Sequence, residues 1–301
     1  MTIIVAGYDP DPWALSRTAS SPLTQAFILS DSRLSREAGQ GRQIVSDAAV
    51  KIERIPIRIG IPLFTPAGTS TNCLNPSYEG SCGIAYAGNE FLGRSVIASF
   101  LRTAASLVYT WCGSGPGVPG RYEIVKETSP LAVSRSDSVF DEGIDFDVRD
   151  LPKVTGDILS TLLQEDFQTA IDDTLRHEAN NGRLGDYLRT DLVLVTANPS
   201  EDSAKIFWVR VRRDESKVPP WLTAQVNFVQ PDQLVVLGQT SWTDELTTVL
   251  REARRQGRSA VDEIQTRVTS LVQSAETENF VGGQLRRGTA APHGGFNVAD
   301  C

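Results

Sequence analysis

The order in which two hydrophobic periodicities alternate along this 301-residue chain limits its fold more than any other feature. Residues 2–8, 26–29, 49–59 and 82–87 are short apolar runs or alternate apolar with charged residues, and each predicts a strand. Leu92, Val96, Phe100, Ala104 and Leu107/Val108 then recur at helical spacing, as do Ile158, Leu162, Ala170, Ile171 and Leu175 within 154–179. Strands return at 191–197, 205–211, 222–229 and 233–237. Helices are expected over 243–256 and 259–275, the second with Ser259 as its N-cap, and a last strand over 281–289. Runs of strands separated by helix pairs indicate an α+β fold, not alternating βαβ units. Two sheets packed face to face, with a helix pair outside each, would bury all four helices in a four-layer αββα sandwich.

The remaining segments read as connections. Polar or Pro/Gly-rich stretches at 9–25, 34–47 and 62–79 are expected to be loops, and 111–150 a long insert. The Gly-rich piece at 113–120 has no Lys-Ser/Thr at phosphate-loop spacing, so it reads as a turn. Nothing else divides the chain. It is expected to form one domain over 1–289, with residues 290–301 as a flexible tail.

Charge and rare residues narrow the function. The net charge of −8 and pI near 5.0 argue against a nucleic-acid partner, which demands a basic face. No apolar run has the length of a membrane span and no signal peptide is apparent, so a cytoplasmic protein without a membrane partner is expected. Cys73, Cys82, Cys112 and Cys301 form no close pair and read as free thiols. His177 and His293 are too few for a His-rich zinc site and make a histidine-based triad improbable. No metal or other cofactor is expected, and any hydrolase built on this chain needs another base.

Thr2 offers one. Threonine is small enough for the initiator Met1 to be removed, which places a hydroxyl nucleophile and a free α-amine on the same residue. An α-amine has a pKa of about 7.7–8.0 and accepts a proton near neutrality. The plain alternative is a first strand that happens to begin with threonine.

Three further pieces follow in order. Asp31 and Arg33 lie in Leu29-Ser30-Asp31-Ser32-Arg33 after the second strand, Lys51 begins Lys51-Ile52-Glu53-Arg54-Ile55, and Gly88 stands in Ala87-Gly88-Asn89 before a helix. With Thr2 they resemble the proteasome β-subunit family, including bacterial HslV-type peptidases, built as αββα sandwiches of N-terminal-nucleophile hydrolases. Val236-Leu237-Gly238-Gln239 and Phe280-Val281-Gly282-Gly283 resemble later turns of that family. The resemblance implies a threonine peptidase in which Thr2 attacks, Lys51 lowers the pKa of the hydroxyl and amine, Asp31 pairs with Lys51, and the Gly88 N–H stabilises the oxyanion. Arg33 supports that network, and Tyr86, Glu90 and Arg94 line the substrate pocket. It also implies peptide or unfolded-protein substrates, a homo-oligomeric ring (hexamer or heptamer, single or stacked) and an ATPase unfoldase as partner. Gln239, Val281 and Glu278 depart from the family at positions that support the amine. Other readings of the same residues are a turn-stabilising Asp31–Arg33 pair, a helix-start glycine at 88 and a core aromatic at Tyr86. For the whole chain, the other readings are an inactive ring-forming subunit and a small-molecule amidase.

Overall fold

In the computed structural model the described residues are 2–10, 24–38, 41–46, 49–64, 70–112, 121–127, 151–181, 190–197, 203–214, 216, 221–274, 281–291 and 295–300. In chain order the elements are β1 (Ile3–Pro10), β2 (Thr24–Ser30), β3 (Leu34–Ala38), β4 (Gly41–Ser46), β5 (Ile52–Phe64), β6 (Ser70–Ala87), α1 (Glu90–Ala105), β7 (Leu107–Cys112), β8 (Arg121–Lys126), α2 (Gly156–Asn181), β9 (Asp191–Thr196), β10 (Lys205–Asp214), β11 (Trp221–Phe228), β12 (Val235–Gly238), α3 (Thr243–Arg255), α4 (Ala260–Gln273), β13 (Arg286–Ala291) and β14 (Gly295–Asp300). One sheet runs β12-β1-β2-β13-β14, a second β11-β10-β9-β6-β5-β7-β8, and β3-β4 pair separately. The fold is α+β, with antiparallel pairing except between β5 and β7.

Side-chain alternation explains why β1 is apolar at almost every position. Ile3 and Val5 gather with Leu246 and Leu250 of α3 and Ile264 and Val268 of α4. Ile4, Ala6 and Tyr8 point the other way, into a cluster with Ala85, Val193, Val195 and Ile206 of the second sheet. A strand covered on both faces has no polar face to show. On its far side, the second sheet sends Ile55, Ile57, Ile84 and Leu194 against Val96 and Phe100 of α1 and Leu163 and Phe167 of α2. Ser259 caps α4 as expected, its hydroxyl accepting from the Asp262 N–H.

Several expected loops are strands. Within 34–47, Leu34–Ala38 and Gly41–Ser46 pair as β3 and β4, and 62–79 carry β5 to Phe64 and start β6 at Ser70, with residues 39, 40, 47 and 65–69 outside the described set. These stretches are polar, and β3–β4 belongs to neither large sheet, so the alternation that betrays a half-buried strand is missing. α1 stops at Ala105 because Ser106 leaves helical geometry (φ −134°, ψ 40°), and Leu107 opens β7, not another helical turn. Within the expected insert, Arg121–Lys126 pairs with β7 as β8, while 113–120 and 128–150 lie outside the described residues, as do 11–23. The tail also needs correction: β14 ends the five-stranded sheet, and Phe296 is fully buried between the sheets. Gly83 and Gly288 leave room for its ring, since a Cβ at either would overlap it. The strand expected over 281–289 is β13, which begins at Arg286 after a turn over 281–285.

Candidate functional site

The register of β1 against β2 pairs Ile4 with Ser30, which brings Asp31 beside the start of β1. The Asp31 backbone N–H donates to the Ile3 carbonyl at 3.3 Å, and the Ile3 N–H donates to Asp31 Oδ1 at 2.9 Å. Lys51, just before β5, donates from Nζ to the same Oδ1 at 2.7 Å and to the Arg33 carbonyl at 2.6 Å. The Gly282 N–H reaches Oδ2 at 3.2 Å. Asp31 is fully buried and Lys51 nearly so. Burial pushes the Asp31 carboxyl up and the Lys51 ammonium down, and the attraction between them opposes both shifts. Two backbone donors and one ammonium converge on a single carboxylate, so the pair keeps its hydrogen bonds where water is absent.

The peptide that follows Thr2 is held at both its carbonyl and its N–H. The Thr2 carbonyl accepts from the Gln239 N–H at 3.0 Å, and the Ile3 N–H is anchored by Asp31. Gly238 allows this approach: its φ is +77°, and a Cβ there would overlap the Thr2 carbonyl oxygen. The sequence marks Gly238 and Gly282 as turn residues, and the structure gives both a part in the site. The glycine spacing was visible, but a glycine's contacts leave no trace in sequence. Arg33 donates its N–H to the Gly282 carbonyl at 2.9 Å, and its guanidinium lies where a Gly282 side chain would stand. Ser32 Oγ accepts from the Gln284 N–H at 2.8 Å. The turn over 281–285 is thus clamped along 31–33.

The other expected residues form a second group at the start of α1. Gly88 has φ +117°. Asn89 caps α1 by accepting from the Leu92 N–H at 3.0 Å, and its own N–H donates to Thr190 Oγ1 at 3.1 Å. Glu90 pairs with Arg94 at 2.9 Å on the exposed helix surface. Tyr86 belongs to the cluster packed on α1 and α2, whereas its neighbours Ala85 and Ala87 face the first sheet. Its ring fills the space that Gly93 leaves on α1, burial pushes its phenol pKa up, and its hydroxyl is hydrogen-bonded with Arg94. Tyr86 therefore occupies the space between β6 and α1. The two groups are linked electrostatically: the Glu90 carboxylate favours the charged form of Lys51. Asp31, Arg33 and Lys51 make one hydrogen-bonded unit that reaches Thr2 through the Ile3 N–H, whereas Gly88, Tyr86, Glu90 and Arg94 lie outside its hydrogen bonds and Glu90 acts on Lys51 through charge.

Two of the departures are visible. The Gln239 side chain donates to Ser241 Oγ at 2.6 Å, and Val281 is fully buried in the α3–α4 cluster. Glu278 lies outside the described residues. Among the described residues no three His, Cys, Asp or Glu side chains are grouped to hold a metal ion, and no helix is long and apolar enough to cross a membrane.

No protein-family model matches the chain, and no curated protein matches it. Solved structures do. The Anbu complex of Pseudomonas aeruginosa, described as a helical assembly, aligns with a TM-score of 0.50 at 11% identity, covering 100% of this chain and 86% of that one. A Gly-1 mutant of Anbu from Hyphomicrobium sp. strain MC1 aligns at 0.47 and 11%, covering 99% and 85%. Anbu from Yersinia bercovieri, described as an ancestral β-subunit, aligns at 0.43 and 9%, covering 97% and 82%. At such identity the likeness concerns the fold alone. It corrects the family to which the sequence pointed: the similar structures are Anbu proteins, not proteasome β-subunits of the HslV type. Short motifs strung along a shared element order mark a fold and do not separate the families within it.

Proposed function

We propose that the chain is an αββα N-terminal threonine hydrolase cleaving peptide bonds through Thr2. The three hydrophobic clusters support the layering, since each fills the gap between neighbouring layers: α3–α4 on the first sheet, sheet on sheet, and the second sheet on α1–α2. One observation carries the chemistry. The buried Lys51–Asp31 pair is bonded to the peptide that follows Thr2, so a fixed positive charge stands beside the residue whose hydroxyl would react. Asp31 with a neutral partner would serve a turn equally well. A buried lysine is costly, and the bond it also makes to the Arg33 carbonyl needs a donor but not a charge.

In this reading Met1 is removed and the α-amine of Thr2 becomes free. Thr2 Oγ attacks the substrate carbonyl while the amine takes the hydroxyl proton. The C–N bond breaks, the amine returns the proton to the leaving group, and a water activated by the same amine hydrolyses the ester. Lys51 stabilises the developing negative charge, and the Gly88 N–H serves as oxyanion donor, an interaction worth about 10²–10³ in rate where it has been removed from other enzymes. Peptides and unfolded chains are the substrates. We further propose that copies of the chain associate head to tail, closing a ring or continuing as a helix according to the rotation between them. The Pseudomonas aeruginosa Anbu complex, with its helical assembly, supports that reading.

Intact mass should show loss of Met1, and an epoxyketone or β-lactone probe should add once per chain. Thr2→Ala should abolish both labelling and peptide cleavage while leaving the oligomer seen by light scattering unchanged. Retention of Met1 on the purified protein would sink the catalytic reading. It would favour a non-catalytic subunit of the same fold, for which the engaged Gln239 side chain and the buried Val281 already speak.

A further inference from the structure

A cleft of about 670 Å³ lies beside β12, away from the Lys51–Asp31 pair, and the chemistry above makes no use of it. Its walls come from both sheets and a helix. β12 edges the first sheet and β11 edges the second, and among the described residues neither has a strand on its outer side. From α3 come Thr243, Thr247 and Arg251, spaced four apart and so on one helical face. From β10 comes Trp208, with the Arg210 guanidinium 4.9 Å from its ring centre. Phe228, at the end of β11, is 43% exposed although it packs edge-on against Phe207.

We propose that this cleft seats an extended, acidic polypeptide segment that adds a strand to the free edge of β12. Three properties point to that occupant. An unpaired edge strand presents backbone donors and acceptors that only another extended backbone satisfies in series. Trp208 and Phe228 offer apolar surface beside that edge, suited to alternate side chains of such a strand. The charge is cationic in a chain whose net charge is −8. Arg210 and Arg251 line the cleft, and its one lining carboxylate, Asp232, lies in the field of Arg254. Asp191 lies outside the lining, accepts from the Trp208 indole N–H at 3.3 Å and partly offsets the charge of Arg210.

The test uses the full chain with Thr2→Ala, so that cleavage neither consumes the probe nor decides the outcome. The probe is an acetylated fluorescent peptide alternating glutamate and valine around a central phenylalanine, followed by anisotropy. Saturable binding is expected, with hydrogen-exchange protection gained at Val235–Gly238. Arg210→Glu and Arg251→Glu should each weaken it about tenfold or more. Both residues are exposed, and unchanged melting temperatures would show that the variants fold. Replacing glutamate by lysine in the peptide, or N-methylating alternate amides, should abolish binding. Absence of saturable binding, equal binding of the lysine peptide, indifference to both arginine substitutions, or protection elsewhere than β12 would each overturn the proposal. None of these results depends on whether Thr2 is a nucleophile.

Discussion

The two ends of β1 are both rich in buried polar groups, but their chemistry differs. At the first end a carboxylate, an ammonium and backbone amides meet beside Thr2. At the other end Tyr8 donates to the Val229 carbonyl at 3.0 Å and accepts from the Ile206 N–H at 2.8 Å. Next to it, Asp9 accepts from the Ala260 N–H at 2.7 Å and from Ser259 Oγ at 3.0 Å, and Arg254 donates to the Tyr8 carbonyl at 2.7 Å. Every group at that far end has a structural role, either tying the sheets together or closing the turn between α3 and α4. At the Thr2 end the lysine also holds the Arg33 carbonyl, but a neutral donor would do that as well, and its charge has no such role. The contrast identifies a candidate site by what structure alone leaves unexplained, not by burial or by the number of hydrogen bonds.

The largest effect should follow from breaking the charge balance at the Thr2 end. Asp31→Asn keeps an oxygen that can accept from the Ile3 N–H but leaves Lys51 buried without its counter-ion. A loss of about 3–5 kcal/mol in denaturant unfolding is expected, together with loss of probe labelling at Thr2. Adding Lys51→Met should restore much of the stability and none of the labelling. At the far end Asp9→Asn, still able to accept from Ala260, should cost distinctly less. Equal costs for the two asparagine variants would erase the comparison.

A smaller effect tests the far end by pH. Burial pushes the Tyr8 phenol from 10.0 up to about 12. The folded protein therefore holds this proton more tightly than the unfolded chain. The stability it contributes is fully present below pH 10 and is lost as pH rises toward 12, amounting to about 2–3 kcal/mol by linkage. Cys82, buried in the second sheet, is pushed up from 9.0 to about 12 and acts in the same direction from a lower starting pH. Urea unfolding between pH 9 and 12 should show falling stability. Tyr8→Phe should be less stable at neutral pH but less steep above pH 10, with the Cys82 part of the slope remaining. An unchanged slope would mean that Tyr8 ionises freely in the folded state.

Legibility in sequence followed covering. α3 and α4 were readable because each lays one face on the first sheet and leaves the other to solvent, and Ser259 marked the start of α4 by its chemistry. β3, β4 and the outer parts of β5 and β6 were not, because polar residues pair in a ladder as well as apolar ones and leave no alternation behind. β14 hid for a different reason: Phe296 alone anchors it to the core, and one aromatic among Gly and Pro reads as a tail. At the candidate site Thr2, Asp31 and Lys51 stood out only as a set, through resemblance, since each alone is an ordinary strand-end residue. Gly238 and Gly282 were legible as turns but not as the backbone that holds Thr2 and Asp31. Asp9 fell inside an expected loop, because a single carboxylate at a strand end announces nothing about the helix it will meet across the sheet.

The smallest effect separates stability from chemistry most cleanly. Ser259 Oγ accepts from the Asp262 N–H at 3.3 Å and donates to Asp9 Oδ2 at 3.0 Å, so it both caps α4 and ties that helix to the end of β1. Ser259→Ala removes both bonds. The Asp262 amide is exposed and water replaces the lost acceptor, and Asp9 keeps its bond from Ala260. The cost should be about 1 kcal/mol, the usual value for a lost N-cap, read as a drop in unfolding midpoint with no change in denaturant dependence. Labelling of Thr2 should proceed at the wild-type rate, because the Asp31–Lys51 unit sits at the opposite end of the strand and shares no partner with Ser259. If a lesion of about 1 kcal/mol there slowed labelling severalfold, β1 would be transmitting position from one end to the other, and the two ends would have to be treated as one coupled unit.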